Sequence, residues 1–298
     1  MPSHAHHPPE DAAGSAYTVD WPEAADRLAE AATTDADWYA TVAARLISAT
    51  DRLAIDVGCG GAGMATALAR AMTAGEVLAV DGDPTVLATA QRQPRPDSPA
   101  TVSFLLADLD GDLADIRAAS ADRGADVVWA SASVHHAGDQ QQALTRLADL
   151  LAPHGRLALA EGGLPVRRLP WDVGIGEPGL EIRLDAAQNS WFTTMRRELP
   201  GHVPMPYGWT EAMRSVGLTQ VRTFTTLFET PIPLADAERD RVVGELTHHV
   251  QRLRPAGLLD PGDLAAWDRL LDPDDPAWLG HRTDLQRITA RSVHIGFK

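Results

Sequence analysis

Cysteine is all but missing from this chain: Cys59 stands alone among 298 residues. That excludes an intramolecular disulfide and fits a reducing compartment, so a cytoplasmic protein is expected. Basic residues are scarce as well. Lys and Arg total 26 against 41 Asp and Glu, a formal net charge of −15, and no basic run stands out. Nucleic acid and anionic membranes are therefore excluded as main partners, because both demand a basic surface. No apolar stretch approaches the ~18 uninterrupted residues of a membrane-crossing helix. The opening MPSHAHHPPEDAAGSA lacks the basic-then-apolar order of a signal peptide, so none is expected. Residues 1–16 are read as a disordered, Pro-rich arm in preference to a metal site built from His4, His6 and His7. Beyond them the chain has no low-complexity block and no internal repeat.

What it does have, from about residue 50, is short β runs alternating with helical stretches. LAIDVG is an apolar run stopped by glycine, hence a strand; GMATALARAMTAG carries Ala, Leu and Met at helical spacing to a closing glycine. EVLAVDGD, TVSFLLADLDGD, ADVVWASAS and RLALAEGG read as further strands, with PTVLATAQRQ, LADIRAAS and DQQQALTRLADLLAPHG as the helices between them. Such alternation implies parallel strands, right-handed crossovers and helices on both faces, a doubly wound α/β sheet. The rhythm breaks after Gly163, through Pro-rich turns and GIGEPG, into a helical LDAAQNSWFTTMRREL. It resumes with YGWTEAMRSVGL and QVRTFTTLFE, yields again to a mostly helical 232–286, and closes on ITARSVHIGFK, a final strand.

Ligands of open α/β sheets bind beyond the carboxyl ends of the strands. Gly58, Gly60 and Gly63 lie there, in LAIDVGCGGAGMA, with the spacing G-x-G-x-x-G. Glycine lets the backbone approach a ligand and turn sharply into the following helix. The spacing alone does not separate NAD from other adenosine ligands, but the acids at successive strand ends do. Asp56 sits two positions before the first glycine, Asp81 ends the second strand and Asp108 the third. Carboxylates there repel a pyrophosphate and suit S-adenosylmethionine, which has no phosphate and carries a sulfonium and an ammonium. Asp81 can accept from both ribose hydroxyls. Asp108 can take the adenine amino proton while Leu109 lies against the ring. DLDGD is not a calcium loop, since its glycine is misplaced and Ala119 stands where a bidentate Glu belongs.

With these residues the chain resembles the class I S-adenosylmethionine-dependent methyltransferases. IDVGCGGAG is similar to their first motif, VLAVDGDP to the second and LLADLDG to the third. DVVWASASVHHAGD is similar to the strand-four motif of small-molecule members, and LLAPHGRLALAE to the strand after it. The resemblance covers about residues 35–163 and, more loosely, the strands near 219–229 and 288–298. It implies S-adenosylmethionine as cofactor, with Cys59, Gly82 and Ser131 joining Asp56, Gly58, Gly60, Gly63, Asp81, Asp108 and Leu109 around it. It also implies a seven-stranded, mostly parallel sheet in the order 3-2-1-4-5-7-6, the last strand antiparallel, carrying a mainly helical cap. On that map 17–50 are N-terminal helices, 51–163 the cofactor-binding core, 164–206 a first insertion and 207–230 a return to the core. Residues 231–287 are a second, helical insertion and 288–298 the last core strand. Both insertions start at the active-site edge and are expected to cap the methyl group, with Tyr17, Trp38 and Tyr39 as further walls.

Methyl transfer is an in-line displacement at carbon; the protein supplies alignment, water exclusion and in some cases a base. His135 and His136 directly follow strand four, and His135 is the first candidate for acceptor contact or general base, a structural role being the alternative. Glu161, ending strand five, is the second candidate, with a hydrogen-bonding anchor as the alternative. His202, His248 and His249 are expected at the surface. Trp171, Trp191, Phe192, Tyr207 and Trp209 either line a site for a flat or apolar acceptor or pack the cap. One of Arg167, Arg168, Arg183, Arg196 and Arg197 is a candidate clamp for an acceptor carboxylate. The chain lacks the Asn/Asp-Pro-Pro-Tyr/Phe signature of base-amino methylation and the magnesium-holding aspartates of catechol-type enzymes, so no metal is expected. The leading expectation is a metal-independent methyltransferase acting on an O or N atom of a small molecule, such as a secondary metabolite. A homodimer is the candidate assembly. A peptide acceptor, non-methylation chemistry with the same cofactor, and a non-catalytic cofactor-binding protein stay open.

Overall fold

The computed structural model describes residues 17, 19–95, 97–109, 111, 113–120 and 123–298. The expected arm over residues 1–16, with His4, His6 and His7, lies outside the described residues. The described chain begins with α1 (Trp21–Thr34), whose N-cap Asp20 accepts the amide of Glu23 and whose first turn carries a proline. α2 (Ala36–Leu46) buries Trp38, Val42, Ala43 and Leu46.

The alternating part follows as β1 (Leu53–Val57), α3 (Gly63–Ala71), β2 (Gly75–Asp81), α4 (Pro84–Arg92), β3 (Ala100–Leu106), α5 (Ala114–Ala119), β4 (Ala125–Ser131), α6 (Gln140–Asp149) and β5 (Leu151–Ala160). These five strands are parallel, in the order β3-β2-β1-β4-β5. Every residue of β1 is buried, because helices cover both faces, and a strand so placed reads as an unbroken apolar run. One face packs Trp129, Val127 and Ala158 with Trp38 and Leu68 of α2 and α3. The other packs Ile55, Val128 and Leu159 with Leu144 and Leu147 of α6.

The remaining elements are β6 (Gly163–Arg167), α7 (Leu180–Glu198), α8 (Trp209–Ser215), β7 (Thr219–Glu229), α9 (Asp236–Leu253), α10 (Pro261–Leu271) and β8 (Ile288–Phe297). β8 runs antiparallel to β5 on one side and to β7 on the other. The expected order 3-2-1-4-5-7-6 is therefore present, its sixth and seventh strands being β7 and β8. The difference is β6, which makes the sheet eight-stranded. It lies within the stretch read from sequence as an insertion, yet it resumes the line of β5 along β8, pairing Gly163 with Arg291 and Leu164 with Ala290. The jog falls at Gly162 and Gly163, both at positive φ, and a Cβ on Gly163 would stand 2.3 Å from the Ala290 carbonyl oxygen. A double glycine followed by Pro165 looks like the end of a strand; here it lets the chain step sideways and continue as an edge, where proline is tolerated.

The chain forms two compact units. One comprises residues 20–167, 199–229 and 287–298, which contain the whole sheet, α1–α6 and α8. The other gathers residues 168–198 and 230–286, with α7, α9 and α10, and includes Tyr17. Within this second unit Glu181 of α7 accepts from the backbone of Arg168 and Leu169 and from the Arg168 guanidinium, which also pairs with Glu245 of α9. Arg183 holds Asp263 of α10 through two nitrogens. Among the described residues no helix is long and apolar enough to cross a membrane.

Arg156 of β5 is 8% exposed and donates to Asp51, itself 4% exposed, and to the Leu46 and Asp126 carbonyl oxygens. It ties the end of α2 to the middle of the sheet. Arg156→Ala leaves the Asp51 carboxylate buried without its counter-charge, and is expected to lower unfolding free energy in urea melts by about 3–5 kcal/mol.

Candidate active site

At the carboxyl ends of the parallel strands lies a cavity of about 340 Å³, at the small end of the range for single-ligand pockets. Gly58 and Gly60 line it from the turn after β1, Asp81 and Gly82 from β2, Asp108 and Leu109 from the segment after β3, and Ser131 from β4. His136 lines it too. Eight of the sequence-derived site residues thus meet in one place, although they come from four strands.

Asp81 organises the turn. Its Oδ2 accepts the Gly60 amide at 3.0 Å and its Oδ1 the Asp83 amide at 3.1 Å. Asp83 in turn caps α4, accepting from Thr85 and Val86. Gly58, at φ +69°, comes so close to the segment after β4 that a Cβ would lie 2.5 Å from that of Ser133. Among the described residues, three aspartates, Asp81, Asp83 and Asp108, line the cavity and no Lys or Arg does. Burial raises the Asp81 carboxyl above the usual carboxylate range, against the lowering effect of its backbone hydrogen bonds.

Three expected cofactor residues are absent from the wall, each for a visible reason. Asp56 is 1% exposed, and its Oδ2 accepts the Ala65 amide in the first turn of α3 at 2.9 Å. Cys59 is turned into the core, where burial pushes its thiol well up. Gly63 serves packing: a Cβ there would stand 2.6 Å from the ring of Tyr39 and 2.9 Å from Ala32. The neighbouring Gly61 faces α1 equally closely, its hypothetical Cβ lying 2.4 Å from the Leu28 carbonyl oxygen. Dinucleotide-binding folds place a pyrophosphate on the amides at this helix start. Here an internal carboxylate takes one of those amides and helices press on the turn.

The segment after β4 forms a 3-10 turn over Val134–His136, shaped by Glu161. Glu161 Oε1 accepts the amides of Ser133 at 3.0 Å and Val134 at 2.9 Å, and Oε2 faces His135 Nδ1 at 2.7 Å. Glu161 is 3% exposed. Neither His135 nor Glu161 lines the cavity. His136 does, packed edge-on against Trp21 with ring centroids 4.9 Å apart. His294 of β8 approaches the Glu161 carbonyl oxygen through Nε2 and Thr223 Oγ1 through Nδ1.

The walls expected from Trp38 and Tyr39 are not walls of this cavity. Trp38 is 3% exposed in the core, and Tyr39 packs on Gly63. The N-terminal contribution comes instead from Trp21 and Leu28, two turns apart on one side of α1. That i, i+7 apolar pair was the available signal. Of the other aromatics, Trp191 is buried in its own unit beneath Arg252, Trp209 joins the core under the sheet, and Tyr207 donates to Gln141. Trp171 is 66% exposed. Arg168 and Arg183 are engaged by the carboxylates already described. His202, expected at the surface, is partly buried, and its Nδ1 is enclosed without a hydrogen-bond partner. Among the described residues no group of His, Cys, Asp and Glu could hold a metal ion.

Residues 55–159 match the family model described as a methyltransferase domain. A trans-aconitate 2-methyltransferase of Methylobacterium radiotolerans is 33% identical over 160 residues, covering 49% of this chain and 55% of that protein. An uncharacterized methyltransferase of Mycobacterium tuberculosis is 37% identical over 105 residues, 35% of this chain and 48% of that one. The chain thus spans about half the length of the curated relatives it matches. Among solved structures, one from Anaeromyxobacter dehalogenans, described as a type II methyltransferase, superposes with a TM-score of 0.50 at 18% identity, over 88% of this chain and 95% of that one. At that identity the likeness concerns the fold.

Burial, aided by the nearby Asp81 charge, raises the Asp56 carboxyl from its ordinary 3.8 to about 7. Between those values the folded chain holds a proton that the unfolded chain has lost, so this group favours folding at low pH and loses that contribution as pH rises through about 7. Asparagine keeps an oxygen for the Ala65 amide and has no proton to release. Asp56→Asn is therefore expected to gain in melting temperature over the parent from pH 5 to pH 8 (about those values), as followed by thermal melts across that range.

Proposed function

Residues 55–159 belong to the class I S-adenosylmethionine-dependent methyltransferases, and on that premise we propose that the chain transfers the methyl group of S-adenosylmethionine to an oxygen or nitrogen atom of a small organic molecule, without a metal. The observation that carries this reading is the donor set of the cavity. Among the described residues its wall offers three carboxylates and no Lys or Arg, while one amide of the adjacent helix start is already taken by Asp56. A phosphorylated dinucleotide meets repulsion there and has lost part of its anion site. A cation with ribose and adenine hydrogens to donate meets acceptors.

The residues fit the cofactor in detail. Asp81 keeps lone pairs for ribose hydroxyls on oxygens already oriented by two backbone amides. Asp108 would take the adenine amino group and Leu109 would lie against its ring face, both lining the cavity. Gly58 and Gly60, at positive φ, bring bare backbone to the ligand. Ser131, at the end of β4, also lines the cavity and would offer its hydroxyl to the cofactor. The bound cofactor supplies an activated methyl on a good leaving group. The chain's part is to align an acceptor and keep water away. His135, His136 and Glu161 are the side chains assigned to that end of the site.

Two features support a small acceptor. The net charge of −15 opposes nucleic acid. The Methylobacterium relative is named for trans-aconitate, itself a small organic molecule. A secondary metabolite is one such small molecule.

Calorimetry is expected to show S-adenosylmethionine binding and no NAD binding. Asp81→Asn, which keeps an amide-accepting oxygen but removes the charge, is expected to weaken the cofactor about 10- to 100-fold, the worth of hydrogen bonds to a charged group. Binding of NAD in place of S-adenosylmethionine overturns the assignment.

A further inference from the structure

β7 lies at an edge of the sheet: among the described residues it pairs with β8 and with no other strand. It is eleven residues long, against seven for β3 at the opposite edge. An edge of that length offers a row of outward-facing amides and carbonyls, which proteins ordinarily blunt with proline, lysine, an inward charge or a bulge. β7 has one such device, at its start. Gln220 stands there at φ +50° and the register with β8 slips between Thr219 and Arg222. From Arg222 to Glu229 the register runs unbroken through RTFTTLFE, a stretch dominated by β-branched and aromatic residues and free of proline, glycine and lysine. Among the described residues none of β7 lines the cavity, so what the cavity binds leaves this edge unused.

We propose that this edge pairs antiparallel with the same edge of a second copy of the chain, about a two-fold axis standing normal to the sheet at Thr226. The charges choose the partner and the direction. Arg222 and Glu229 are the only charged residues of β7, and they stand at the two ends of its regular stretch. Among the described residues neither has an ion-pair partner within the chain; Arg222 rests on the Phe297 ring, 5.3 Å from its centroid. An antiparallel two-fold pair brings Arg222 of each copy to within one position of Glu229 of the other, so opposite charges approach at both ends. A parallel pair stacks arginine on arginine and glutamate on glutamate.

Symmetry also restricts the register. A two-fold axis normal to a sheet carries each face onto itself, so a residue opposes only residues of its own face, an even number of positions away. Phe224, Thr226 and Phe228 share one face, and both rings are half-buried. Arg45 of α2 lies 4.6 Å from the Phe224 centroid, and Arg291 of β8 lies 5.4 Å from that of Phe228. With Thr226 on the axis, Phe224 of each copy faces Phe228 of the other, which makes two aromatic cross-strand pairs. On the opposite face Thr225 meets Leu227, a side chain that is 63% exposed in the single chain and gains cover in the pair.

Sedimentation equilibrium of the whole chain over a series of concentrations is expected to show a reversible monomer–dimer equilibrium. Thr226→Lys and Thr226→Glu each set like charges face to face on the axis, and each is expected to weaken the dimer about three- to tenfold. Mixed in equal amounts, the two variants are expected to dimerise as the parent does, because a residue on a two-fold axis meets its own copy. Arg222→Glu, at an exposed position, brings like charges together at both ends and is expected to weaken the dimer severalfold, less so at high salt. Circular dichroism matching the parent's marks a folded variant, and Arg222→Glu decides the matter if the Thr226 variants do not fold. A parent that sediments as a monomer throughout overturns the proposal, whether or not the edge takes up a strand of another protein. So does a dimer that none of the folded variants weakens, or a mixture of Thr226→Lys and Thr226→Glu that stays dissociated.

Discussion

Much of this structure follows from where one carboxyl group goes. Asp56 sits at the end of the central strand, with no solvent around it, and accepts the amide of Ala65. It joins strand to helix with an internal hydrogen bond, occupying one of the amides that a helix start offers to an anion. The glycine turn can then be covered by α1 and braced by Asp81. What remains for a ligand is a cavity whose polar surface is rich in acceptors. An unpaired carboxyl in such a place is tolerated because it can keep its proton, as its raised pKa of about 7 reflects.

The same economy appears at Glu161, which lies at the end of β5 as Asp56 lies at the end of β1. Buried acids at strand ends do two jobs in this fold: they satisfy amides that the sheet no longer pairs, and they orient whatever follows. Glu161 does both within one side chain. The 3-10 turn that carries the histidines is thereby tied to the end of β5 by both oxygens of one carboxyl group.

The parallel strands, the strand order and many of the residues that line the cavity were legible in the sequence, because those rest on local patterns: apolar runs between glycines, and acids at their ends. Legibility failed where a residue's task depends on what comes from elsewhere in the chain. Asp56 and Asp81 look alike in sequence, each an acid at a strand end, but α3 claims the first and leaves the second facing the cavity. Gly63 looked like a ligand contact and is a packing contact, because Tyr39, far back along the chain, lies against it. Trp21 and Leu28 were passed over in favour of Trp38 and Tyr39, since periodicity marks a helix face without saying what that face meets. β6 was hidden by a glycine pair whose positive φ values redirect a strand rather than end it.

Gly61 does not itself line the cavity, yet the backbone of α1 at Leu28 lies where its Cβ would be. The ceiling formed by Trp21 and Leu28 is therefore seated on an atom that is not there. Any side chain at that position would lift the helix off its bearing and change the room available below without altering one ligand-facing group. In this molecule the height of the binding chamber is governed from outside it, by a hydrogen where every other amino acid carries carbon.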